Sequence, residues 1–558
     1  MATFARPTTL VCLLTALALA ALPAFGQAPS EDDLDYESSE TPDEIEGELT
    51  GAPTLHGQLR LSLGDAIAMG LENNLNVEVA RYNPRIAEEE HVSSWGAYDP
   101  TFAGDLGYTS DDQPNAFALN TVSAAKTRTT DGNLGIAGLV PWLNASIGLD
   151  FAGSRTKTNS TIQAVRPEYN SSVTVSADVP LLKNLIWNPT WTAVKTTGIL
   201  EDSAREEFRR SVMDEVRDIE TAYWDLIARE EELRVAQKSL ETATALLDQT
   251  NTQYEVGVVS KVEVVEARAG VAEREFNLIR AENLYKRSQD VLIDRVLGEN
   301  LTAGSRMEIE PTDRPEDYVE YQIDVEEAVR KAFEYRPELA SARNEVERQV
   351  VQKKFARNQM LPEFNVQSSY TATGKRGKSR VLRDREGNLT TTKAAQPTLI
   401  GDFGDSVGDW DDSSGGDVFT VRGVVSIPIG NVSARADARK AQFELRRAKT
   451  RLVRARQDII LEVRDTARNL VSAQEGIEAA QRRQEAANEQ VRAERIRLEH
   501  GESTPFDVLE REEDLVDAES QLINAYQLYR SSVTQLDRAQ GTILQTRNVV
   551  IDDVAKFR

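Results

Sequence analysis

The sequence predicts an α+β membrane protein, internally duplicated, whose long helical coiled-coil hairpins are joined to strands too few to close a barrel within one chain. Three observations predict it: a tandem repeat, apolar residues spaced seven apart through long polar stretches, and segments that alternate apolar with polar residues.

The chain opens with Arg6, an apolar run from Leu10 to about Leu22 and the small-residue stop Ala24-Phe25-Gly26. Residues 1–26 therefore read as a secretory signal peptide cleaved near Gln27. As an uncleaved anchor the run falls short of the ~20 residues that a helical span needs. The one cysteine, Cys12, lies inside this segment, too early in the apolar run to carry a lipid, so the mature chain is expected to hold no thiol, disulfide or cysteine-ligated metal. Histidines stand only at His56, His91 and His500, which leaves little material for a metal site or a Ser/His triad. No cofactor is expected.

Residues 27–58 form an acidic linker, with Glu31 to Glu48 rich in acid, Pro and Ser and expected to be disordered. The net charge of −26, from 91 acidic and 65 basic residues, disfavours nucleic acid as a partner, because phosphate binding draws on clustered Lys and Arg. Beyond the signal no stretch of about 18 apolar residues occurs. A bilayer can then be crossed only by a closed β-barrel, since lipid offers no partner to an open sheet edge.

The duplication is visible in Leu61-Ser62-Leu63-Gly64-Asp65-Ala66-Ile67, which recurs as Ile323-Asp324-Val325-Glu326-Glu327-Ala328-Val329. At the same offset Pro100 and Phe102 match Pro362 and Phe364, and farther on Val179-Pro180-Leu181 pairs with Ile427-Pro428-Ile429. Tyr254-Glu255-Val256-Gly257 pairs with Leu498-Glu499-His500-Gly501. The first repeat is placed at 59–300, a connection at 301–322, the second repeat at 323–544 and a tail at 545–558. Each repeat runs helix, strands, long helix, tight turn, long helix.

In the long helices Val212, Ile219, Leu226, Leu233, Leu240, Leu247 and Tyr254 recur every seventh residue, and Val264, Val271, Leu278, Tyr285 and Leu292 resume after the turn. The second repeat shows Val463, Leu470, Ile477, Val491 and Leu498, then Val508, Leu515, Leu522, Tyr529, Leu536 and Ile543, with Gln484 breaking the first row. Such spacing keeps one seam toward a partner helix and imposes a left-handed supercoil. A helix from Ala204 to Tyr254 would be roughly 75 Å long. A free-standing structural coiled coil is the plain alternative for this feature by itself.

Strands follow from the period of two: Val173, Val175, Ala177 and Val179 alternate with Thr174, Ser176 and Asp178, and Phe419, Val421, Val425 and Ile427 with Thr420, Arg422 and Ser426. Pro100 to Tyr108 and Pro362 to Thr373 add one strand to each repeat. Gly401 to Asp417 reads as an exposed acidic loop. Leu134 to Phe151 has strand character interrupted at Pro141 and is expected, if anything, as a hairpin outside the wall. On two main strands per repeat one chain offers four, too few to close a barrel; three chains would give about twelve.

At the turns, Gly257 and Gly501 permit the reversal that ends one helix. Ser260 or Thr504 can cap the next, with Glu263 or Asp507 three residues on satisfying free amides.

From Leu59 to Leu544 the order and duplication of these elements resemble the TolC family of outer-membrane efflux proteins. The resemblance rests on the duplicated opening helix, the strand endings Val179-Pro180-Leu181-Leu182 and Ser426-Ile427-Pro428-Ile429, and the paired turns at Gly257 and Gly501. It implies a homotrimer with a β-barrel in outer-membrane lipid and an α-barrel reaching through the periplasm. It further implies a passive exit duct for a tripartite efflux or type I secretion system, worked by an inner-membrane pump through a periplasmic adaptor. The adaptor would meet the tips Gly257, Val258, Val259, Ser260 and Gly501, Glu502, Ser503, Thr504. Asp507 and Glu510 would form carboxylate rings at the constriction; a single acid at a helix start, as at Asp507, equally serves the helix dipole. The chain departs from the best-known member in holding Leu498 and Ser503 where a tyrosine and an arginine would latch the tunnel. The resulting expectation is closure by packing of Leu498 and by the acidic rings, or simply a weaker closure.

A periplasmic coiled-coil adaptor or scaffold without a pore is the competing reading, opposed by the two-faced strands. A secreted enzyme finds no phosphate-cradling loop and no convergent catalytic set, so no enzymatic activity is expected.

Overall fold

The computed structural model describes residues 56–114, 124–141, 143–159, 163, 165–301, 306–318, 320–379, 399–412 and 416–550. The expected signal peptide 1–26, nearly all of the linker 27–58 and the end of the tail lie outside the described residues. The chain divides into two units, one holding Glu89–Ile199 and Glu347–Arg447, the other 56–88, Leu200–Val346 and 448–550.

The first unit is built on a six-stranded antiparallel sheet of β2 (Thr101–Pro114), β3 (Ala124–Val140), β4 (Ala145–Thr158), β5 (Val165–Pro180), β7 (Glu363–Ser379) and β8 (Asp417–Ser426), in the order β2-β3-β4-β5-β7-β8. The four strands read from the sequence are all present. The segment around 134–151, however, is not a hairpin outside the sheet: β3 and β4 stand between β2 and β5, in unbroken register with both. Among the described residues the first repeat thus supplies four strands of this sheet and the second two, six rather than the four expected. The sequence count went astray because Gly132, Gly135, Gly138, Gly148 and Gly153 thin out the alternation in β3 and β4, so the period of two shows only in the cross-strand pairs.

Register assigns the faces. On one lie Phe102 opposite Ile136, Ile136 opposite Leu149, Leu149 opposite Val175, Val175 opposite Tyr370 and Tyr370 opposite Phe419. One residue along, Asp105 faces Asn133, Asp150 faces Thr174 and Thr174 faces Thr371, the two hydroxyls 3.0 Å apart. The apolar face is bare toward the outer strands: Leu106 is 93% exposed and Phe419 67%. An apolar sheet face of this extent is a surface for lipid or a partner.

The expected loop at 401–417 holds a helix, α7 (Phe403–Asp412). It lies on the apolar face over β5 and β7, where Phe403 packs on Gly153 and the Trp410 ring stands 6.0 Å from that of Phe151. Gly374 passes so close to the Ser406 carbonyl that a Cβ would collide with it. Composition concealed this helix, because its apolar positions Phe403, Val407 and Trp410 are separated by Gly and Asp.

The second unit carries the helical seams. Strand β1 (His56–Leu61) pairs in parallel with β6 (Arg306–Pro311), which lies in the segment expected only as a connection. The duplicated motif becomes two capped helices, α1 (Leu63–Asn73) and α5 (Val325–Tyr335), continued by α2 (Leu75–Trp95) and α6 (Pro337–Asn358). Ser62 exchanges bonds with Asp65 at 3.3 Å, and Asp324 accepts from the Glu326 amide at 2.9 Å.

The long hairpins are α3 (Pro189–Glu255) with α4 (Lys261–Leu297) and α8 (Val432–Glu499) with α9 (Pro505–Gln540), followed by α10 (Ile543–Thr546). With 67 residues, α3 measures about 100 Å. The seven-residue rows face inward: Val212, Ile219, Leu226, Leu292, Val463, Leu470, Ile477, Val508, Tyr529, Leu536 and Ile543 are buried, whereas Tyr254, last in its row, is exposed. A large cluster of buried residues takes in Leu61 of β1 and Ile309 of β6, with Tyr223 fully enclosed and its hydroxyl donating to Asp313 at 2.7 Å.

Candidate functional site: the hairpin tips

Both tips close by the same backbone arrangement. Gly257 at φ 81° donates to the Tyr254 carbonyl and Val258 to that of Gln253; Gly501 at φ 75° donates to Leu498 and Glu502 to Arg497. These paired bonds satisfy the last carbonyls of α3 and α8, and positive φ explains why glycine stands at both positions. Gly257, Val258, Ser260, Gly501, Glu502 and Thr504 are exposed, Val259 and Ser503 half-buried.

The next helices start with reciprocal caps. The Ser260 amide donates to Glu263 at 3.3 Å. The Thr504 amide and hydroxyl donate to Asp507 at 3.0 and 2.7 Å, and the Asp507 amide returns a bond to Thr504 at 3.3 Å. Ser503 bonds both Asp507 and Glu494, and Arg497 pairs with Glu494 at 3.1 Å. The Thr504 bonds, aided by Ser503 and Arg497, hold the Asp507 carboxyl below its ordinary value. Glu510, one turn along, is exposed.

Leu498 is half-buried and packs with Ala243, Leu246, Val271, Val508 and Leu509. That cluster joins the first hairpin to the second. The structure therefore places Asp507 in a cap, Leu498 in an inter-hairpin seam and Glu510 on an open surface. Asp507 and Glu510 stand one turn apart on α9, and Leu498 packs on the cluster of Val508 and Leu509 that lies between them in sequence.

Several residues beside the tips escaped the sequence reading. Arg274 on α4 is buried and donates to the Leu509 carbonyl at 3.3 Å, with Glu513 at 3.7 Å. Gly270, one turn earlier, leaves the space that Leu509 fills. Arg495 pairs with the buried Glu512 at 2.7 Å. A signal for Arg274 existed: it stands seven residues after the buried Ala267, on the second seam row, where a cation needs a partner. Among the described residues no group of three His, Cys, Asp or Glu is placed to hold a metal ion, and no helix is long and apolar enough to cross a membrane.

The family model of the outer membrane efflux protein matches residues 126–298 and 328–542, both repeats including the tips. The chain belongs to the outer membrane efflux protein family. It is accordingly a channel subunit of the outer membrane, in a family of transporters. Solved structures agree in fold. The CusC channel is 13% identical over 86% of this chain and 92% of its own, with a TM-score of 0.60. The Campylobacter jejuni CmeC outer membrane channel is 13% identical over 88% of each chain at 0.58. VceC of Vibrio cholerae is 14% identical over 86% of this chain and 96% of its own, also at 0.58. No curated protein sequence matches. The pore-less adaptor reading is not favoured by these likenesses.

Proposed function

We propose that three copies of this outer-membrane efflux protein set their sheets side by side in the lipid and their hairpins around a common bore in the periplasm. The resulting duct exports passively. An inner-membrane pump supplies the energy and a periplasmic adaptor makes the connection, meeting the tips at Gly257 to Ser260 and Gly501 to Thr504. The observation that carries this reading is a sheet with one apolar and one polar face whose end strands β2 and β8 are, among the described residues, each paired along one edge only. Such edges must be sealed before lipid can surround them.

Asp507 and Glu510 supply carboxylate rings near the periplasmic mouth, favouring cations, and Leu498 holds the two hairpins together beneath them. Residues 1–26 act as the export signal. Benzophenone cross-linkers at Ser260 and Thr504 test the arrangement in cells. Adducts to a periplasmic adaptor and an unheated trimer on gels are expected; a water-soluble monomer without adducts defeats the reading.

A further inference from the structure

We infer that the membrane wall of this channel has eighteen strands, closed by pairing β8 of one copy with β2 of the next. The inference rests on the three-fold assembly proposed above and specifies its wall: three copies of a six-stranded sheet.

The hairpin of β3 and β4 has the build of a wall segment. Its pairs continue the neighbouring faces without a slip, Leu134 and Ile136 joining Leu149 and Phe151 on the apolar side, Asp131 and Asn133 joining Asp150 on the polar side. A hairpin lying outside the wall would put these carboxylates into lipid or these apolar groups into water. Inside the wall each meets its own solvent.

Direction also fits. Thr101, the β3–β4 turn, Pro180, Glu363 and Ser426 all lie at one end of the sheet, so β2 leaves that end and β8 returns to it. An even number of alternating strands makes the junction of β8 with a following β2 antiparallel, like every other pair in the sheet. Among the described residues both edges lack a pairing strand, and α7 lies clear of the lipid-facing band, its contacts at Gly153, Gly374 and Arg376 standing toward the end of the sheet away from Thr101 and Pro180. The bare apolar residues of the end strands, Phe102 and Leu106 on β2 and Phe419 and Val421 on β8, lie on the same face and would continue one lipid-facing band across the seam. With strands about 4.8 Å apart and tilted about 40°, the backbone cylinder is about 36 Å across, against about 24 Å for twelve strands.

A cryo-electron microscopy map of the full-length channel in lipid nanodiscs counts the strands. Eighteen are expected; a trimer with twelve wall strands and the hairpins outside overturns this inference alone, whereas any other number of copies overturns the assembly it rests on. Single-cysteine variants give a second reading, since Cys12 is the only native cysteine. A membrane-impermeant thiol reagent is expected to label Asp131→Cys and Asp150→Cys and to lose labelling at Leu134→Cys and Leu149→Cys, which a lipid-soluble maleimide takes instead. Equal aqueous labelling at all four positions overturns the placement of the hairpin in the wall.

Discussion

Arg274 reaches from α4 to α9, its buried guanidinium donating to the Leu509 carbonyl at 3.3 Å, five residues beyond Thr504, which starts the second tip's capping box. A backbone carbonyl in the second turn of α9 is thereby tied to the other hairpin. The Leu509 side chain fills the space over Gly270, so one residue is held at two points.

Arg274→Met keeps the length but removes the donor. It is expected to cost about 2 kcal/mol locally, as for a lost charged hydrogen bond, and to raise amide hydrogen exchange through 505–512. Unchanged exchange there would show that the bond does not restrain the tip.

Asp507 has two candidate roles, separable by substitution. Asp507→Asn and Glu510→Gln should each lower cation selectivity and divalent block in planar-bilayer recordings if both line the constriction. Only the Asp507 variant should loosen the cap. Because the folded-state value of Asp507 is depressed, its contribution is present above the ordinary carboxylate range and lost as pH falls through the lowered value. Conductance and block unchanged in both variants would remove the pair from the constriction.

Asp537 behaves oppositely. Burial pushes it up to about 6, with Arg547 opposing and Glu220 adding to the rise. A folded-state value above the unfolded 3.8 gives a contribution fully present below that value and lost as pH rises through about 6. Asp537→Asn should raise thermal stability at pH 7 by about 1–2 kcal/mol and flatten its decline between about pH 4 and 6. A variant less stable than the parent at pH 7 would mean that the Arg547 contact at 3.4 Å outweighs burial.

The two faces of the sheet predict asymmetric tolerance. Leu106→Lys should cost about 2–4 kcal/mol in folding into lipid vesicles if Leu106 sits near the midplane, whereas Asp105→Lys on the opposite face should cost little. Urea titration of vesicle-inserted protein measures both, and equal costs would refute the face assignment.

The sequence by itself determined the duplication, the four long helices, their seams and both tips. Each rests on a local rule: a seven-residue row such as Val463, Leu470 and Ile477 marks a buried stripe however the chain folds, and glycine at 257 and 501 marks a reversal that other residues resist. Asp507 as a cap was legible for the same reason, its partner Thr504 lying three residues away. What only the tertiary structure decided depends on groups far apart in the chain. Strands β3 and β4 reveal their two faces through cross-strand pairs such as Asn133 with Asp105, helix α7 through the close approach at Gly153 and Gly374, and Arg274 through a carbonyl on another helix. A single strand rich in glycine carries no periodic mark of its own, and the seam spacing of Arg274 does not name the carbonyl it meets. The meaning of each is set by the neighbour that folding brings, and hydrogen bonding and burial at that neighbour fix the outcome.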